Sequence, residues 1–243
     1  MSKHSATSSW QSPDIDALID TAPTVKKLYV AQAPVRIWHW LNALSIVGLA
    51  ITGYLIGSPP NTTQGEASTH FLFGDIRFVH FLCAYIFAGS LLVRLYWAFV
   101  GNQYAREIFH IPIFHRAYWR DFLSMLKWYL LISSRPNRYY GHNPLARMMI
   151  FLLYFLLSIF MVCSGFAMYG EGDQQGSWAN TLFTSWMLPL FGQPQNLHTW
   201  HHLGMWVVLL FVVIHIYAAV REDIMGRQSM MSTMVSGYRY FKE

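Results

Sequence analysis

The chain has 243 residues, of which 54% are hydrophobic and 12% are charged, and its formal net charge is +5. Soluble domains carry about 25% charged residues, so this composition excludes an ordinary soluble protein and indicates a chain that lies mostly in lipid. Membrane proteins carry lysine and arginine beside their membrane-spanning segments, where these residues face anionic lipid. This preference accounts for the positive net charge, so the charge does not indicate a nucleic-acid partner.

Residues 1–28 are polar over most of their length, and this composition predicts a disordered N-terminal tail. The membrane domain is predicted over 29–225, because all the long apolar stretches fall within it. Residues 226–243 are predicted to form a C-terminal tail.

Four stretches of the membrane domain reach the length of about 20 residues that a helix needs to cross the hydrocarbon core. They cover residues 37–57, 78–100, 148–169 and 200–220, and Arg94 is the one full charge in them. Residues 118–132 mix charged and apolar side chains, a pattern typical of an amphipathic helix on a membrane surface. The predicted fold is therefore all-α, a four-helix transmembrane bundle with one surface helix.

Charge distribution predicts the orientation. Seven lysines and arginines lie between Arg106 and Arg147, whereas residues 170–199 contain none. By the positive-inside rule the first segment, with the surface helix, is cytoplasmic and the second is outside. Both termini are then cytoplasmic, as four crossings require.

His201 and His215 lie fourteen residues apart in the fourth crossing. At about 1.5 Å per residue and about 3.6 residues per turn, they are about 21 Å apart and within about 40° of one helix face. The topology places His39 at the cytoplasmic depth of His215 and His80 at the outer depth of His201. Four histidines therefore form two opposed pairs, one near each membrane surface.

Each histidine also has a simpler explanation. His39, between two tryptophans, is typical of the interfacial belt, but ionisable residues at membrane depth are costly and usually functional. Two ligands per pair are too few for a closed zinc site but fill both axial positions of a haem. A zinc or copper site formed by His198, His201 and His202 remains the alternative.

The motif Cys-x-x-Cys-His is absent, so the predicted cofactors are two non-covalent haems b. Axial coordination of both by histidine suits electron transfer. Residues 29–225 are thus predicted to be a di-haem domain.

Three arginines are candidates to bind the anionic haem propionates. Arg36 and Arg77 each precede a predicted ligand, His39 or His80, by three residues. Arg94 follows His80 by fourteen residues, which places it at the cytoplasmic haem depth. For Arg36 and Arg77, interfacial snorkelling is an equally good explanation.

Small residues on the crossings provide room for a flat ring or for close helix packing. Gly53 and Gly57 form a Gly-x-x-x-Gly pair that is at least as well explained by packing. Gly48, Gly89, Gly165 and Gly204 leave the same two explanations open. Residues 177–191, which we expect to break at Pro189, are apolar enough to lie in the outer interface or to cover the outer haem.

Several runs resemble the b-type cytochrome subunit of membrane-bound NiFe hydrogenases, which is similar to the cytochrome b subunit of respiratory formate dehydrogenases. They are Ala33–Trp40, Gly141–Arg147, Trp200–Trp206, Arg221–Met225 and Ser232–Arg239, and the likeness extends over most of residues 29–240. In those families, histidines of the first, second and fourth crossings hold two haems b, and these match His39, His80, His201 and His215.

The resemblance implies a bacterial inner-membrane subunit, not itself catalytic, in a hetero-oligomer with the small and large hydrogenase subunits. Electrons from iron–sulfur clusters outside would pass by the outer and then the cytoplasmic haem to a membrane quinone. Candidates for the quinone site or its proton path are His142, Arg94, Arg147, Glu222 and Asp223. The alternatives are a partner of the formate dehydrogenase or thiosulfate reductase type, or a metal-binding membrane protein.

Overall fold

The computed structural model describes residues 25–60, 71–134, 139–226 and 229–242. In chain order the elements are β1 (Val25–Tyr29), α1 (Ala33–Gly57), α2 (Leu72–Val100), α3 (Gln103–Arg106), α4 (Arg116–Tyr129), α5 (Pro144–Glu171), α6 (Ser185–Phe191), α7 (Pro194–Ile224), α8 (Met230–Ser236) and β2 (Tyr238–Lys242). A 3₁₀ turn, Glu107–Phe109, follows α3, and π-helical turns occur at Ile150–Leu156 within α5 and at Asn180–Thr184 before α6.

Helices α1, α2, α5 and α7 are each long and apolar enough to cross a membrane. They contain the four predicted crossings and confirm the helical membrane bundle. Helix α7 begins at Pro194 and ends at Ile224, several residues beyond the predicted stretch at each end. The extra turns are polar, because helix continues past the hydrocarbon core into the interfaces.

A buried hydrogen-bonded chain joins three of the crossings. Asn42 of α1 donates to Ser90 Oγ of α2 over 2.6 Å and accepts from Tyr154 OH of α5 over 2.5 Å. All three residues are buried. Because lipid offers no hydrogen-bond partners, polar groups at this depth must satisfy one another, and this chain sets the relative position of the three helices.

Helix α4 confirms the predicted amphipathic element over a slightly shorter range. Its buried face places Met125 and Trp128 against Leu145 at the start of α5. Arg116, Arg120 and Lys127 are exposed. The helix therefore lies against the ends of the crossings on its apolar face.

The structure differs from two predictions, one for the N-terminal segment and one for the segment after α5. Residues 25–28, assigned to a disordered tail, belong to β1, because β1 pairs antiparallel with β2 from Val25↔Lys242 to Tyr29↔Tyr238. Residues 1–24 lie outside the described part of the chain. Pro189 does not break α6, which ends two residues later at Phe191. The next residue is Gly192, where φ is 77°, a value that glycine adopts readily.

A buried ion pair connects the C-terminal segment to the end of α7. Glu222 accepts hydrogen bonds from Tyr129 OH at 2.6 Å and Asn143 Nδ2 at 2.5 Å, and Arg239 lies 3.4 Å from its other oxygen. Arg239 also donates to Gly141 O over 2.7 Å. Glu222 and Arg239 are 5% and 2% exposed, so neither charge has water to replace a lost partner.

We predict that Arg239→Met lowers the free energy of unfolding by about 3–5 kcal/mol, because it leaves a buried carboxylate without its cation. Thermal or denaturant unfolding in detergent measures the change. Arg120→Met is the matched control. Arg120 pairs with Asp121 at the surface, where such pairs contribute less than about 1 kcal/mol. Equal stability of the two variants would contradict the prediction.

Candidate functional site

A large cavity lies between the four crossings at the end where α2 and α7 begin. It has a volume of about 760 Å³ and is lined by residues of α1, α2, α5 and α7, with both His80 and His201 among them. Pockets that hold cofactors usually measure about 300–1,000 Å³. The two imidazoles are close enough to interact electrostatically, so the predicted outer pair shares one cavity.

Each of these imidazoles is held by a hydroxyl group of a neighbouring helix. His80 Nδ1 lies 2.9 Å from Thr52 Oγ1 of α1, and His201 Nδ1 lies 2.7 Å from Ser164 Oγ of α5. Both hydroxyl residues are buried. With Nδ1 engaged in this way, Nε2 is the nitrogen left for a ligand in the cavity.

His39 of α1 and His215 of α7 meet at the other end of the bundle. Their ring centres are 6.3 Å apart and the ring planes are inclined by 50°. Phe211, one turn earlier on α7, stacks on His215 at 16°. His39 Nδ1 is buried and has no hydrogen-bond partner among the described residues.

The three predicted arginines occupy different settings. Arg77 is exposed and lines the cavity of His80 and His201. Arg36 donates a hydrogen bond to Val235 O of α8, so the C-terminal segment occupies one of its nitrogens.

Arg94 is 2% exposed and donates to Ala105 O over 2.8 Å. Its guanidinium lies over the rings of Trp38 and Phe109, 5.4 and 5.2 Å from their centroids. Arg94 Nη1 has no partner within the described ranges.

The sequence left open whether the glycines make room for a flat ring or allow close helix packing, and the structure shows glycines of both kinds. A side chain at Gly53 would contact His80, one at Gly57 would contact His202, and one at Gly165 would contact His201. All three glycines line the cavity. In contrast, Gly48 packs on Cys83 and Gly204 on Met161. The Gly-x-x-x-Gly pair therefore belongs to the cavity wall.

The structure supports neither a zinc or copper site formed by His198, His201 and His202 nor a cover over the cavity formed by residues 177–191. His198, His201 and His202 form no group of three metal ligands with one another or with other described residues. Helix α6 packs through Met187 against Ala167 and Leu197, and the cavity-lining residues of the described chain include none from 177–191. This segment therefore lies beside α5 and α7, away from the cavity.

The residues predicted for a quinone site are engaged in ion pairs and hydrogen bonds near the His39 end. Glu107 binds His142 Nδ1 at 2.7 Å and Arg147 at 3.1 Å. His142 is close enough to His215 for an electrostatic interaction. Glu222 lies in the buried cluster with Arg239, and Asp223 accepts from Met231 N over 3.1 Å.

A family model described as Prokaryotic cytochrome b561 matches residues 30–237. The chain belongs to this family. The resemblance inferred from the sequence is confirmed at the level of the family, and the four apolar helices are the crossings of a multi-pass membrane cytochrome.

Relatives of the chain carry consistent names. A protein of Cupriavidus necator named "Probable Ni/Fe-hydrogenase B-type cytochrome subunit" is 59% identical over 94% of this chain and 93% of its own length. One of the same name from Azotobacter vinelandii is 51% identical over 89% and 90%. The "Probable Ni/Fe-hydrogenase 1 B-type cytochrome subunit" of Escherichia coli is 44% identical over 88% and 91%. Family and names imply a b-type haem.

The residues at both ends of the bundle fit such a group. A metal–imidazole bond is about 2.0–2.1 Å long and a ring nitrogen lies about 1.1 Å from its ring centre, so two imidazoles on opposite sides of one metal have centres about 6.3 Å apart. His39 and His215 have this separation. At the other end, two imidazoles face one large cavity whose wall is thinned by Gly53 and Gly165.

Sequence reasoning missed the partners of the predicted residues. Thr52, Ser164, Glu107 and Tyr129 each contact a residue on another helix or loop that is at least 28 positions away. Such contacts leave no periodic pattern in one chain. One local signal exists, because Thr52 and Ser164 each directly precede a cavity glycine.

We predict an acid-sensitive contribution from Glu107, which lies outside the crossings. Burial raises its pKa, but hydrogen bonds from His142 and the charge of Arg147 outweigh burial and hold the pKa below the ordinary 4.5. The stabilisation is therefore complete above pH 4.5 and is lost as the pH falls through the lowered pKa of the folded state.

Melting temperatures of the detergent-solubilised protein, recorded from about pH 6 to about pH 3, measure this contribution. Glu107→Gln is expected to melt lower at the upper end of the range and to show a smaller acid-induced decrease. Asp121→Asn, in an exposed ion pair, should follow the wild-type curve. The prediction fails if Glu107→Gln also follows it.

Proposed function

We propose that this chain is the di-haem b membrane subunit that carries electrons from the iron–sulfur clusters of a periplasmic Ni/Fe hydrogenase across the membrane to quinone. The names of the relatives support the hydrogenase as partner. The chain would not be catalytic itself and would act in a hetero-oligomer with the small and large hydrogenase subunits.

The observation that carries the proposal is the 6.3 Å separation of the His39 and His215 rings. This separation matches two imidazoles that share one metal ion, and ionisable residues that face each other at membrane depth are usually functional. A shared metal ion accounts for both the separation and the burial. With His80 and His201 in their cavity about 21 Å away along α7, the chain would hold one haem near each membrane surface.

The contacts of the predicted histidines and arginines support a separate role for each of them. His39 and His215 would ligate one haem, and His80 and His201 the other. Arg77 at the outer cavity is placed to bind a carboxylate, whereas Arg36 retains one nitrogen for Val235 O and Arg94 one for Ala105 O. When bound, a haem b with two histidine ligands supplies a reversible one-electron carrier without an open coordination position.

The orientation follows from charge. Seven basic residues between Arg106 and Arg147, against none in 170–199, favour a cytoplasmic location for the His39 end and for both termini of a bacterial inner-membrane protein. The quinone would then bind near His39 and His215. The candidates for the quinone site or its proton path are His142, Arg147, Glu222, Asp223 and Arg94. Glu222 is buried, and its carboxylate would take part in the transfer of the protons that quinone reduction takes up.

Haem content tests the proposal. The chain, purified with its partner subunits from native membranes, is expected to contain two haems b per polypeptide by the pyridine haemochrome method. Alanine substitution of His39, His80, His201 or His215 should reduce the content to about one, whereas His115→Ala, at an exposed position away from the cavity, should keep both. Full haem retention in any of the four variants would contradict the pairing.

The partner is tested separately. Hydrogen-dependent reduction of quinone in membrane vesicles, and the identity of the subunits that co-purify, distinguish a hydrogenase from an oxidoreductase of the formate dehydrogenase or thiosulfate reductase type. Co-purification of a different oxidoreductase, with both haems present, would overturn the hydrogenase assignment and leave the haem assignment intact.

We further predict that Gly165→Leu selectively removes the haem of His80 and His201. A Cβ at Gly165 lies 3.5 Å from His201 Cε1, so three additional carbons must enter the cavity. Gly89→Leu is the matched control, because a Cβ there meets no atom within 4 Å. We expect about one haem per chain in the first variant and two in the second. Two haems in both variants would show that the cavity does not hold the cofactor.

A further inference from the structure

The two histidines of the outer cavity are supported in the same way by two different helices. Thr52–Gly53 of α1 supports His80 of α2, and Ser164–Gly165 of α5 supports His201 of α7. In each case the hydroxyl contacts Nδ1, at 2.9 and 2.7 Å. In each case the following glycine would place a Cβ against Cε1 of the same ring, at 3.4 and 3.5 Å. We name each dipeptide a hydroxyl–glycine brace.

The hydrogen-bond directions in each brace are fixed by the backbone. Thr52 Oγ1 lies 2.6 Å from Gly48 O, and Ser164 Oγ lies 2.7 Å from Phe160 O. A carbonyl oxygen can only accept, so the single hydroxyl proton is used in that contact. The hydroxyl oxygen can therefore only accept from the imidazole, and Nδ1 of both histidines must carry the proton. Nε2 then keeps its lone pair toward the cavity.

The glycine of each brace keeps the space beside the ring free. A Cβ at position 53 or 165 would lie in ordinary van der Waals contact with the ring, so a side chain larger than alanine would displace the imidazole from the helix that supports it. The hydroxyl fixes the tautomer and the rotation of the ring, and the glycine allows the ring to lie against the helix backbone. The two functions come from adjacent residues because Nδ1 and Cε1 are neighbouring atoms on one edge of the ring.

The other histidine pair lacks this support on at least one side. His39 Nδ1 is buried without a partner in the described part of the chain. A hydrogen bond from Nδ1–H to an acceptor makes a ligating imidazole more basic, and a more basic ligand favours the oxidised, more positively charged iron. The braces therefore act on one of the two proposed haem sites.

We propose that Thr52–Gly53 and Ser164–Gly165 are positioning elements that fix the ligating tautomer of His80 and His201 and lower the redox potential of the haem held there. The inference rests on the proposed function, since it concerns the haem that these histidines would ligate. Thr52 and Ser164 act through the histidines and need not touch the cofactor.

Redox titration of the purified complex, followed by the optical bands of haem b, tests the inference. Thr52→Val keeps the shape of the side chain and removes the acceptor. We expect it to shift the potential of one haem component upward, to leave the other component unchanged and to alter the low-spin ferric electron paramagnetic resonance signal of the shifted haem. Ser164→Ala should shift the same component in the same direction. Thr52→Ser, which restores a hydroxyl, should return the wild-type potential.

Ser158→Ala is the matched control, because Ser158 is also buried on α5 and lies one and a half turns before the brace. It should leave both potentials unchanged. If Thr52→Val loses one haem, retention of that haem in Thr52→Ser supports the inference, and its loss in both variants overturns it.

Unchanged potentials and signals in Thr52→Val and Ser164→Ala, with two haems present, overturn the inference while the proposed function stands. A wild-type complex without haem overturns both. The two failures are therefore distinguishable in the same preparation.

Discussion

Imidazoles at membrane depth must find partners within the protein, because lipid provides none. Helix α7 carries two of them, His201 and His215, on one face and about 21 Å apart. The other crossings supply the residues that face these rings. Ser164 contacts His201, His80 faces the same cavity, and His39 lies opposite His215. Helices α1 and α5 pack against α7, whereas α2 packs mainly against α1. The hydrogen bonds from Asn42 to Ser90 and from Tyr154 to Asn42 join α1, α2 and α5 between the two histidine levels.

At the His39 end, the buried carboxylate of Glu222 and the partly buried carboxylate of Glu107 hold the peripheral segments against the bundle. Glu222 joins α7 to α4 through Tyr129 and to the C-terminal strand through Arg239. Glu107 joins the segment after α2 to the start of α5 through His142 and Arg147. Buried ion pairs cost desolvation energy and stabilise only when fully hydrogen-bonded, a condition that both clusters approach. They form a polar layer over the end of the bundle where the proposed quinone would bind.

The sequence predicted the four crossings because length and apolar composition determine them almost alone, and it predicted which histidines meet because helical geometry converts spacing into depth and direction. Helix α7 was predicted too short at both ends, since polar residues continue the helix beyond lipid. Strand β1 was missed because its partner, β2, is at the other end of the chain. Thr52 and Ser164 were missed because a hydrogen bond between two helices leaves no spacing in either one. Arg36 matched the pattern of a propionate ligand, yet it also binds Val235 O, a contact that depends on where the C-terminal segment folds back.

We propose that α7 holds one haem near each of its ends, each with a second histidine from α1 or α2. An experimental density map of the complex, at a resolution that shows side chains, would reveal or exclude both haems. We expect two flat porphyrin features, one between His39 and His215 and one between His80 and His201, with the hydroxyl groups of Thr52 and Ser164 on the far side of the second pair. Lipid or protein side chains at both positions, or a haem held by any other histidine pair, would contradict it.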